Sequence, residues 1–282
     1  MLNQASHEAC FSVNKLAIKA KTEHDVDLSK QGLDHRMNWS AVEFISSFLQ
    51  AQLSNQVSEV IDENLMQHFN RVRIKDSTKF DLHKQLADCL PVFNGAASSA
   101  NAYIQYEFDI KEGEIMDLDV TPGNRPDSKD ALEKTDDVEA GDLIIRDLGY
   151  FSLVTLADYY GKSAYFLSKL NCKTLAYKTN RLNGLKEINF GKLYDSMKKS
   201  NISSMEKEVL IGKKEKLPVR LIINLVPEQV YEGRVRNIKK ENKKKGHQTS
   251  SNYLDRSRFN LLVTNVPKDI LTAESLPLFY KI

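Results

Sequence analysis

Two aspartates, Asp76 and Asp147, are the residues of this sequence whose type and position suit metal chemistry. Each follows a short run that predicts a β-strand, Arg71–Lys75 before Asp76 and Asp142–Arg146 before Asp147. Side chains at the carboxyl ends of strands project into the crevice beyond the sheet, where α/β proteins place their sites. Two such carboxylates could share Mg²⁺ ions, which prefer oxygen ligands. Two ions about 3.5–4 Å apart activate the attacking oxygen and stabilise the leaving oxygen in phosphodiester cleavage.

The positions of these aspartates also fit a purely structural interpretation. In a chain with 38 Asp and Glu residues, some stand at strand ends by chance, as caps or turn formers. Asp76 would then cap the following segment, and Asp147 would begin the turn at Leu148 and Gly149. The three cysteines are far apart and no Cys/His ligand spacing occurs, so the sequence indicates neither a zinc site nor a disulfide framework.

The elements that would position the aspartates form a mixed α/β pattern. Tyr103–Phe108 and Ile115–Val120 alternate between apolar and polar residues and are separated by a turn at Lys111–Gly113, which predicts a β-hairpin. Ser152–Tyr160 has a helical period, and Ser163–Leu170 predicts a further strand. The sequence therefore predicts an α/β fold in which a mixed sheet is flanked by helices.

The N-terminal part of the chain, residues 12–70, has a helical period instead. Segments 13–22 and 29–37 are joined by a polar turn and fit a helix-turn-helix, whose second helix enters the major groove of DNA. Ser29 would cap the second of these helices. An ordinary helical bundle with a solvated polar face fits the same pattern. In the DNA-binding interpretation the residues that face DNA would be Lys30, Gln31, His35 and Arg36.

The near-neutral formal charge of +2 hides two segments of opposite sign. Residues 109–147 hold 13 acidic and 5 basic residues, and residues 234–247 hold 7 Lys or Arg against one Glu. The basic stretch lies between the predicted strands Val219–Leu225 and Phe259–Thr264, which indicates a β-rich region carrying a mobile basic loop. Such a loop is either solvated or in contact with DNA phosphates. Its cations are Arg234, Arg236, Lys239, Lys240, Lys243, Lys244 and Lys245.

Export and membrane insertion find no support in the sequence. No apolar run approaches the roughly 20 residues that span a bilayer. The N-terminus has no basic segment followed by an apolar one, as a signal peptide would. We therefore expect reduced thiols and a cytoplasmic, nucleoid-associated protein with no membrane partner.

Four short motifs, in the order in which they occur, resemble those of bacterial insertion-sequence DDE transposases. Ile74–Thr78 resembles the first catalytic aspartate motif of that family, and Ile145–Phe151 resembles the second, an Asp followed by Gly-Tyr-Phe. Leu262–Pro267 resembles the Thr-Asn-Leu-Pro strand that closes the family's β-stranded insertion. Ser29–Asn38 resembles the end of its N-terminal helical region. The resemblance runs from about residue 12 to the last residue.

The resemblance implies an RNase H-like core interrupted by a β-rich insertion. Asp76 and Asp147 would be the first two members of an Asp-Asp-Glu triad that binds Mg²⁺ or Mn²⁺. The partner would be double-stranded DNA carrying terminal inverted repeats, cleaved and joined by a homodimer on paired ends. Four residues would support the two aspartate motifs, namely Thr78, Gly149, Tyr150 and Phe151.

The same resemblance implies how the chain is divided. The expected regions are a helical DNA-end-binding region (1–70), an RNase H-like core (71–172), a β-rich insertion (173–265) and the start of the last core helix (266–282). In the family the third carboxylate lies in a Tyr-x2-Arg-x3-Glu-x6-Lys signature. Tyr280 stands where that Tyr belongs, and the Arg, Glu and Lys would fall after Ile282. We therefore expect a chain truncated at both ends and catalytically incomplete alone.

Two other interpretations stay open. A truncated transposase could occupy DNA ends, or poison dimers of an intact copy, without any chemistry. An unrelated RNase H-like nuclease would need a third carboxylate within this chain beside Asp76 and Asp147. The residues that could supply it are Glu107, Asp109 and Asp119.

Overall fold

The structure is a computed structural model, and it describes residues 12–45, 47–48, 63–92, 100–179, 184–246 and 248–280. The chain divides into two compact units, Met1–Asn55 and Gln56–Ile282. In neither unit does a described helix have the length and apolar character needed to cross a membrane.

The described residues of the first unit, 12–45 and 47–48, are largely helical. Helix α1 spans Val13–His24 and helix α2 spans Lys30–Arg36, and residues 39–45 are helical as well. The Ser29 hydroxyl accepts a hydrogen bond from the backbone N–H of Gly32 at 3.0 Å. This bond satisfies one of the free donors of the first helical turn, which is why α2 begins there.

In the described part of the second unit, ten strands form one mixed sheet. The order of its strands is β3-β2-β1-β4-β5-β10-β9-β8-β6-β7. The strands, in chain order, are β1 (Val72–Leu82), β2 (Ala100–Asp109), β3 (Glu114–Pro122), β4 (Leu143–Arg146), β5 (Tyr165–Lys169), β6 (Ala176–Thr179), β7 (Leu185–Glu187), β8 (Ser204–Ile211), β9 (Leu217–Leu225) and β10 (Phe259–Thr264).

The first half of this sheet is RNase H-like. Strands β1, β4 and β5 run parallel and side by side, while β2 and β3 form the predicted antiparallel hairpin next to β1. Every residue of the central strand β4 is buried, which explains its unbroken run of large side chains, since a strand covered on both faces loses the apolar–polar alternation. The predicted mixed α/β fold is confirmed.

The helices of the second unit cover the sheet. A hydrophobic core lies between the sheet and two of them, and includes Tyr159, Phe166, Phe190 and Val263. In chain order the helices are α3 (Glu63–Met66), α4 (Asp127–Glu133), α5 (Leu153–Gly161), α6 (Phe190–Lys199), α7 (Glu228–Lys245), α8 (Ser251–Arg256) and α9 (Leu276–Phe279).

The strand that leads to Asp76 is longer than the sequence predicts. The expectation that it ends at Lys75 is wrong, because β1 continues to Leu82. Its antiparallel pairing with β2 runs from Arg73 to Leu82, whereas its parallel pairing with β4 stops at Lys75. Asp76 therefore lies within a strand, at the point where one of that strand's two neighbours ends.

The basic stretch is helical, so the predicted mobile loop is wrong. Residues 234–245 form the larger part of α7. Lys, Arg, Glu and Gln are good helix formers, and lysines in the last turn interact favourably with the negative end of the helix dipole. Gly246, with a φ of 64°, adopts the left-handed conformation that commonly ends a helix. The stretch therefore presents its cations along a helix of defined direction.

Candidate metal site

Asp76 and Asp147 line one cleft at an edge of the sheet. The parallel pairing of β1 and β4 ends with Lys75 opposite Arg146, and each aspartate is the next residue in its chain segment. The cleft has a volume of about 380 Å³. Its lining residues are Ile74, Lys75, Asp76, Tyr106, Ile145, Arg146, Asp147, Lys169 and Tyr280.

Asp147 is held by two residues from other elements. The Tyr280 hydroxyl donates a hydrogen bond to Asp147 Oδ1 at 2.9 Å, and Lys169 Nζ lies 3.8 Å from the same oxygen. Lys169 also lies over the Tyr280 ring, 4.9 Å from its centroid. Burial and the nearby Asp147 carboxylate raise the pKa of Tyr280. The hydroxyl therefore stays protonated at neutral pH and can orient the carboxylate as a donor.

Asp76 lies on the exposed part of β1. Its Oδ1 accepts a hydrogen bond from the backbone N–H of Ser77 at 2.8 Å. Its register partner across the antiparallel pair is Tyr106. Burial, and then the charge of Asp76, raise the pKa of Tyr106, so this phenol also stays neutral beside the carboxylate.

The donor set of the cleft suits a hard divalent cation. Both aspartates are exposed, and the Asp147 side chain is 64% exposed, so each has oxygen lone pairs open to the cleft. Mg²⁺ is commonly bound by one or two carboxylates and keeps several of its waters. Within the described residues no group of three His, Cys, Asp or Glu side chains is placed to hold a metal. What these residues provide is thus a pair of carboxylates.

The three carboxylates considered for an internal third ligand are engaged elsewhere. Glu107 forms buried ion pairs with arginines. Asp109 accepts the backbone N–H groups of Val72 and Lys111. Asp119 lies 3.6 Å from a lysine, Lys134. The interpretation as a nuclease with an internal third carboxylate therefore loses its structural support.

The residues after Asp147 connect the end of β4 to β2 and α4 through hydrogen bonds. Tyr150 is buried, and its hydroxyl donates to Gln105 Oε1 at 2.5 Å. The Gln105 amide in turn donates to Asp127 at the start of α4. A Cβ at Gly149 would lie 2.9 Å from the Asp127 carboxylate, so a larger residue would force that side chain to move.

The other two supporting residues lie in different surroundings. Phe151 is partly buried against the hydrophobic core. Thr78 is exposed on β1, opposite Ile104.

The cations proposed to contact DNA fall into two groups. The Arg234 side chain is held by hydrogen bonds within the protein. Its guanidinium donates hydrogen bonds to the carbonyls of Ser257 and Phe259 and to the Asn260 side chain. The remaining cations of α7 are exposed to solvent: Arg236, Lys239, Lys240, Lys243, Lys244 and Lys245.

In the first unit, the four candidates for DNA contact, Lys30, Gln31, His35 and Arg36, are exposed. Lys30 lies in the first turn of α2 and Arg36 in its last turn. The Arg36 guanidinium donates to the carbonyl of Gly32 in the same helix.

Sequence reasoning missed Tyr106 and Lys169. Lys169 is the last residue of β5, which lies beside β4, so it reaches the cleft for the same reason as the aspartates do. The predicted strand Ser163–Leu170 contained this signal, but only the strand order reveals that β5 neighbours β4. Tyr106 becomes visible only from the register of the hairpin.

Comparison with known proteins places the chain in a family. The family described as the transposase DDE domain matches residues 67–282. A transposase for insertion sequence element IS231B from Bacillus thuringiensis subsp. berliner is 31% identical over 270 residues, covering 90% of this chain and 56% of that protein. A transposase for IS231E from Bacillus thuringiensis subsp. finitimus is 30% identical over 274 residues, with the same coverage.

A more distant relative agrees with these two. A transposase for IS1151 from Clostridium perfringens is 28% identical over 288 residues, covering 96% of this chain and 60% of that protein. The chain thus spans a little over half the length of the relatives that it matches. The family match covers residues 67–282, and the strand order of the sheet is consistent with it. This chain therefore belongs to the family of the transposase DDE domain.

Proposed function

We propose that this chain carries two of the carboxylates with which a DNA transposase binds divalent cations and cleaves the ends of an insertion sequence. The observation that supports the proposal best is that Asp76 and Asp147, from neighbouring parallel strands, line the same cleft. The family match and the transposases found among the relatives supply the substrate class. Mg²⁺ or Mn²⁺ is the expected cation, since both suit oxygen ligands.

Each residue of the cleft has a distinct part in this proposal. Asp76 and Asp147 provide the oxygen ligands, and Tyr280 holds Asp147 in one orientation through its hydrogen bond. The Lys169 ammonium lies near Asp147 and is exposed, so it can attract a DNA phosphate to the cleft. Bound cations would activate the attacking oxygen and stabilise the leaving oxygen of the phosphodiester. The third carboxylate of the triad is assigned to a residue other than the described ones, given that these offer no group of three.

DNA phosphates would also bind the exposed cations of α7. The helix has 18 residues, so at about 1.5 Å per residue it is about 27 Å long. The run from Lys239 to Lys245 lies in its last two turns, where Glu241 is the acidic residue among five lysines. Such a surface binds the phosphate backbone without reading the sequence. Recognition of the terminal repeats is assigned to α2, through Lys30 and Arg36.

Metal binding by the isolated chain is the first test. Mn²⁺ titration followed by electron paramagnetic resonance would compare the wild type with Asp147→Asn. Asp158→Asn is the matched control, because Asp158 is also partly exposed and pairs with a lysine, Lys162, but lies on helix α5 away from the cleft. We expect Mn²⁺ to bind the wild type and the control, and Asp147→Asn to bind it at least about tenfold more weakly. Equal binding by all three proteins would contradict the proposed site.

DNA cleavage is the second test. A supercoiled plasmid carrying the element's ends would be incubated with each protein, with and without Mg²⁺. Nicking by the wild type and by Asp158→Asn, but not by Asp147→Asn, would support catalysis by this cleft. Nicking that survives in Asp147→Asn would overturn the assignment of that residue.

A second candidate function is DNA binding without chemistry. The observation that favours it is that the described residues place two carboxylates in the cleft and form no group of three. Under this hypothesis the chain occupies DNA ends or poisons dimers of an intact transposase. Retention of end-containing DNA in a gel, with no nicking in Mg²⁺ or Mn²⁺, would support it. A chain that neither retains nor nicks DNA would contradict both functions.

A further inference from the structure

The residue before each cleft aspartate is a buried cation on the other face of the sheet. Lys75 precedes Asp76, Arg146 precedes Asp147, and the two cations are register partners across β1 and β4. Asp147 keeps an extended backbone, with φ −72° and ψ 168°. Because successive side chains of extended chain point to opposite faces, the side chains of Lys75 and Arg146 lie side by side on the face opposite the aspartate side chains, although both residues also line the cleft.

Glu107 lies between these cations. It is the register partner of Lys75 in β2. Its Oε1 accepts hydrogen bonds from Arg146 at 2.6 Å and from Arg73 at 2.7 Å, and its Oε2 lies 3.7 Å from Lys75 Nζ. The Glu107 side chain is 2% exposed. One desolvated carboxylate therefore connects both strands that lead to the cleft.

Arg146 depends on Glu107 more than Lys75 does. Lys75 also contacts Asp130 at 2.7 Å and Asp117 at 3.0 Å. Arg146, apart from Glu107, donates to two backbone carbonyls. Removing the Glu107 charge would leave a buried guanidinium without a carboxylate, which is a strongly unfavourable state. The end of β4, and with it the second aspartate, would have to move to relieve that charge.

We propose that Glu107 is a positioning residue for the metal site: from the opposite face of the sheet it holds the residues that precede Asp76 and Asp147, and so fixes the separation of the two aspartates. The inference rests on the proposed function, because it concerns the same cleft. It also concerns electrostatics, since an uncompensated cation beneath the aspartates repels a divalent ion. Partners that orient metal ligands typically change metal affinity about 10–100-fold when they are lost.

Terbium ion provides a direct probe of the cleft. Tyr106 and Tyr280 line it, so excitation of tyrosine would sensitise the emission of Tb³⁺ bound there. The full 282-residue chain would be titrated as wild type, Glu107→Gln and Glu107→Asp. The matched control is Asp142→Asn, since Asp142 is also fully buried and pairs with an arginine, Arg71, at 2.6 Å. Asp142 precedes the start of β4, at the end of the strand away from the cleft.

We expect Glu107→Gln to raise the Tb³⁺ concentration at half-saturation about tenfold or more, with Asp142→Asn within about twofold of the wild type. Glu107→Asp keeps the charge but shortens the reach, so it should give an intermediate value. If Glu107→Gln does not fold, Glu107→Asp against Asp142→Asn carries the test. A Glu107 variant that titrates like the wild type, or a control that shifts as far, would overturn the inference.

The failure of the inference and that of the proposed function can be told apart. If the wild type shows no sensitised emission, or if Asp147→Asn leaves that emission unchanged, the proposed metal site is wrong. The positioning role of Glu107 is then wrong as well. If that emission is present and lost in Asp147→Asn, yet unchanged in the Glu107 variants, only the positioning role is wrong.

Discussion

Acid should remove the contribution of Glu107 to stability, and Glu107→Gln isolates that contribution. Burial alone raises the pKa of this carboxyl, but Arg146, Arg73 and Lys75 outweigh burial and lower the pKa to about 2. The ordinary pKa of a glutamate carboxyl, which applies to the unfolded chain, is 4.5. The folded state therefore binds the proton of Glu107 more weakly than the unfolded state does.

The magnitude follows from this difference in pKa. At about 1.4 kcal/mol per pKa unit, a shift from 4.5 to about 2 corresponds to about 3 kcal/mol of stability. Since the folded pKa is the lower one, this stability is present above pH 4.5 and is lost as the pH falls towards 2. At neutral pH, Glu107→Gln leaves the buried Arg146 guanidinium without a carboxylate and should cost about 3–5 kcal/mol.

Urea unfolding followed by circular dichroism would measure this effect. The free energies of unfolding of the wild type and of Glu107→Gln would be compared from about pH 7 down to about pH 3, where each unfolds cooperatively. We expect the gap between the two proteins to shrink by about 2 kcal/mol over this range, because only the wild type can protonate Glu107. A gap that stays constant or widens with acid would refute the assignment of a depressed pKa to this residue.

Three further changes test other contacts. Tyr280→Phe removes the hydrogen-bond donor to Asp147, so Mn²⁺ should bind about tenfold more weakly. The free energy of unfolding should fall by less than about 1 kcal/mol. Unchanged Mn²⁺ affinity would contradict the role of Tyr280 in orienting Asp147. Arg220→Met breaks a partly buried ion pair with Glu206 and two buried bonds to carbonyls and should cost about 3 kcal/mol in urea unfolding. A cost near zero would show that these bonds are dispensable. Replacing Lys243 and Lys244 with glutamine should make the negative slope of log DNA affinity against log salt shallower by about 2. As the control, replacing Lys198 and Lys199 at the end of α6 should leave the slope unchanged.

The part of the site that depends on local pattern could be predicted from the sequence. Strand β4 and the β2–β3 hairpin follow from apolar runs and alternation, and both aspartates were found because each follows such a run. The convergence of Asp76 and Asp147 then needed only the assumption that their strands are neighbours. The structure confirms that assumption through the parallel pairing of β1 with β4.

What depends on distant register could not be predicted. Glu107 meets Arg73 and Arg146, which are 34 and 39 residues away, and nothing in the local sequence marks it as their partner. The fold of α7 was missed for another reason. None of its residues is buried, so the apolar stripe that reveals an amphipathic helix is faint there.

The place of β10 in the sheet has a consequence for the order in which the protein folds. β10 lies between β5 and β9, and its residue Leu262 pairs with Lys169. During synthesis, at about 5–20 residues per second, β5 would wait several seconds for this neighbour. Until then one edge of β5 offers unpaired backbone groups to other chains. We expect chains that end before Phe259 to aggregate during translation, and a light-scattering assay of such fragments against the full chain would show whether they do.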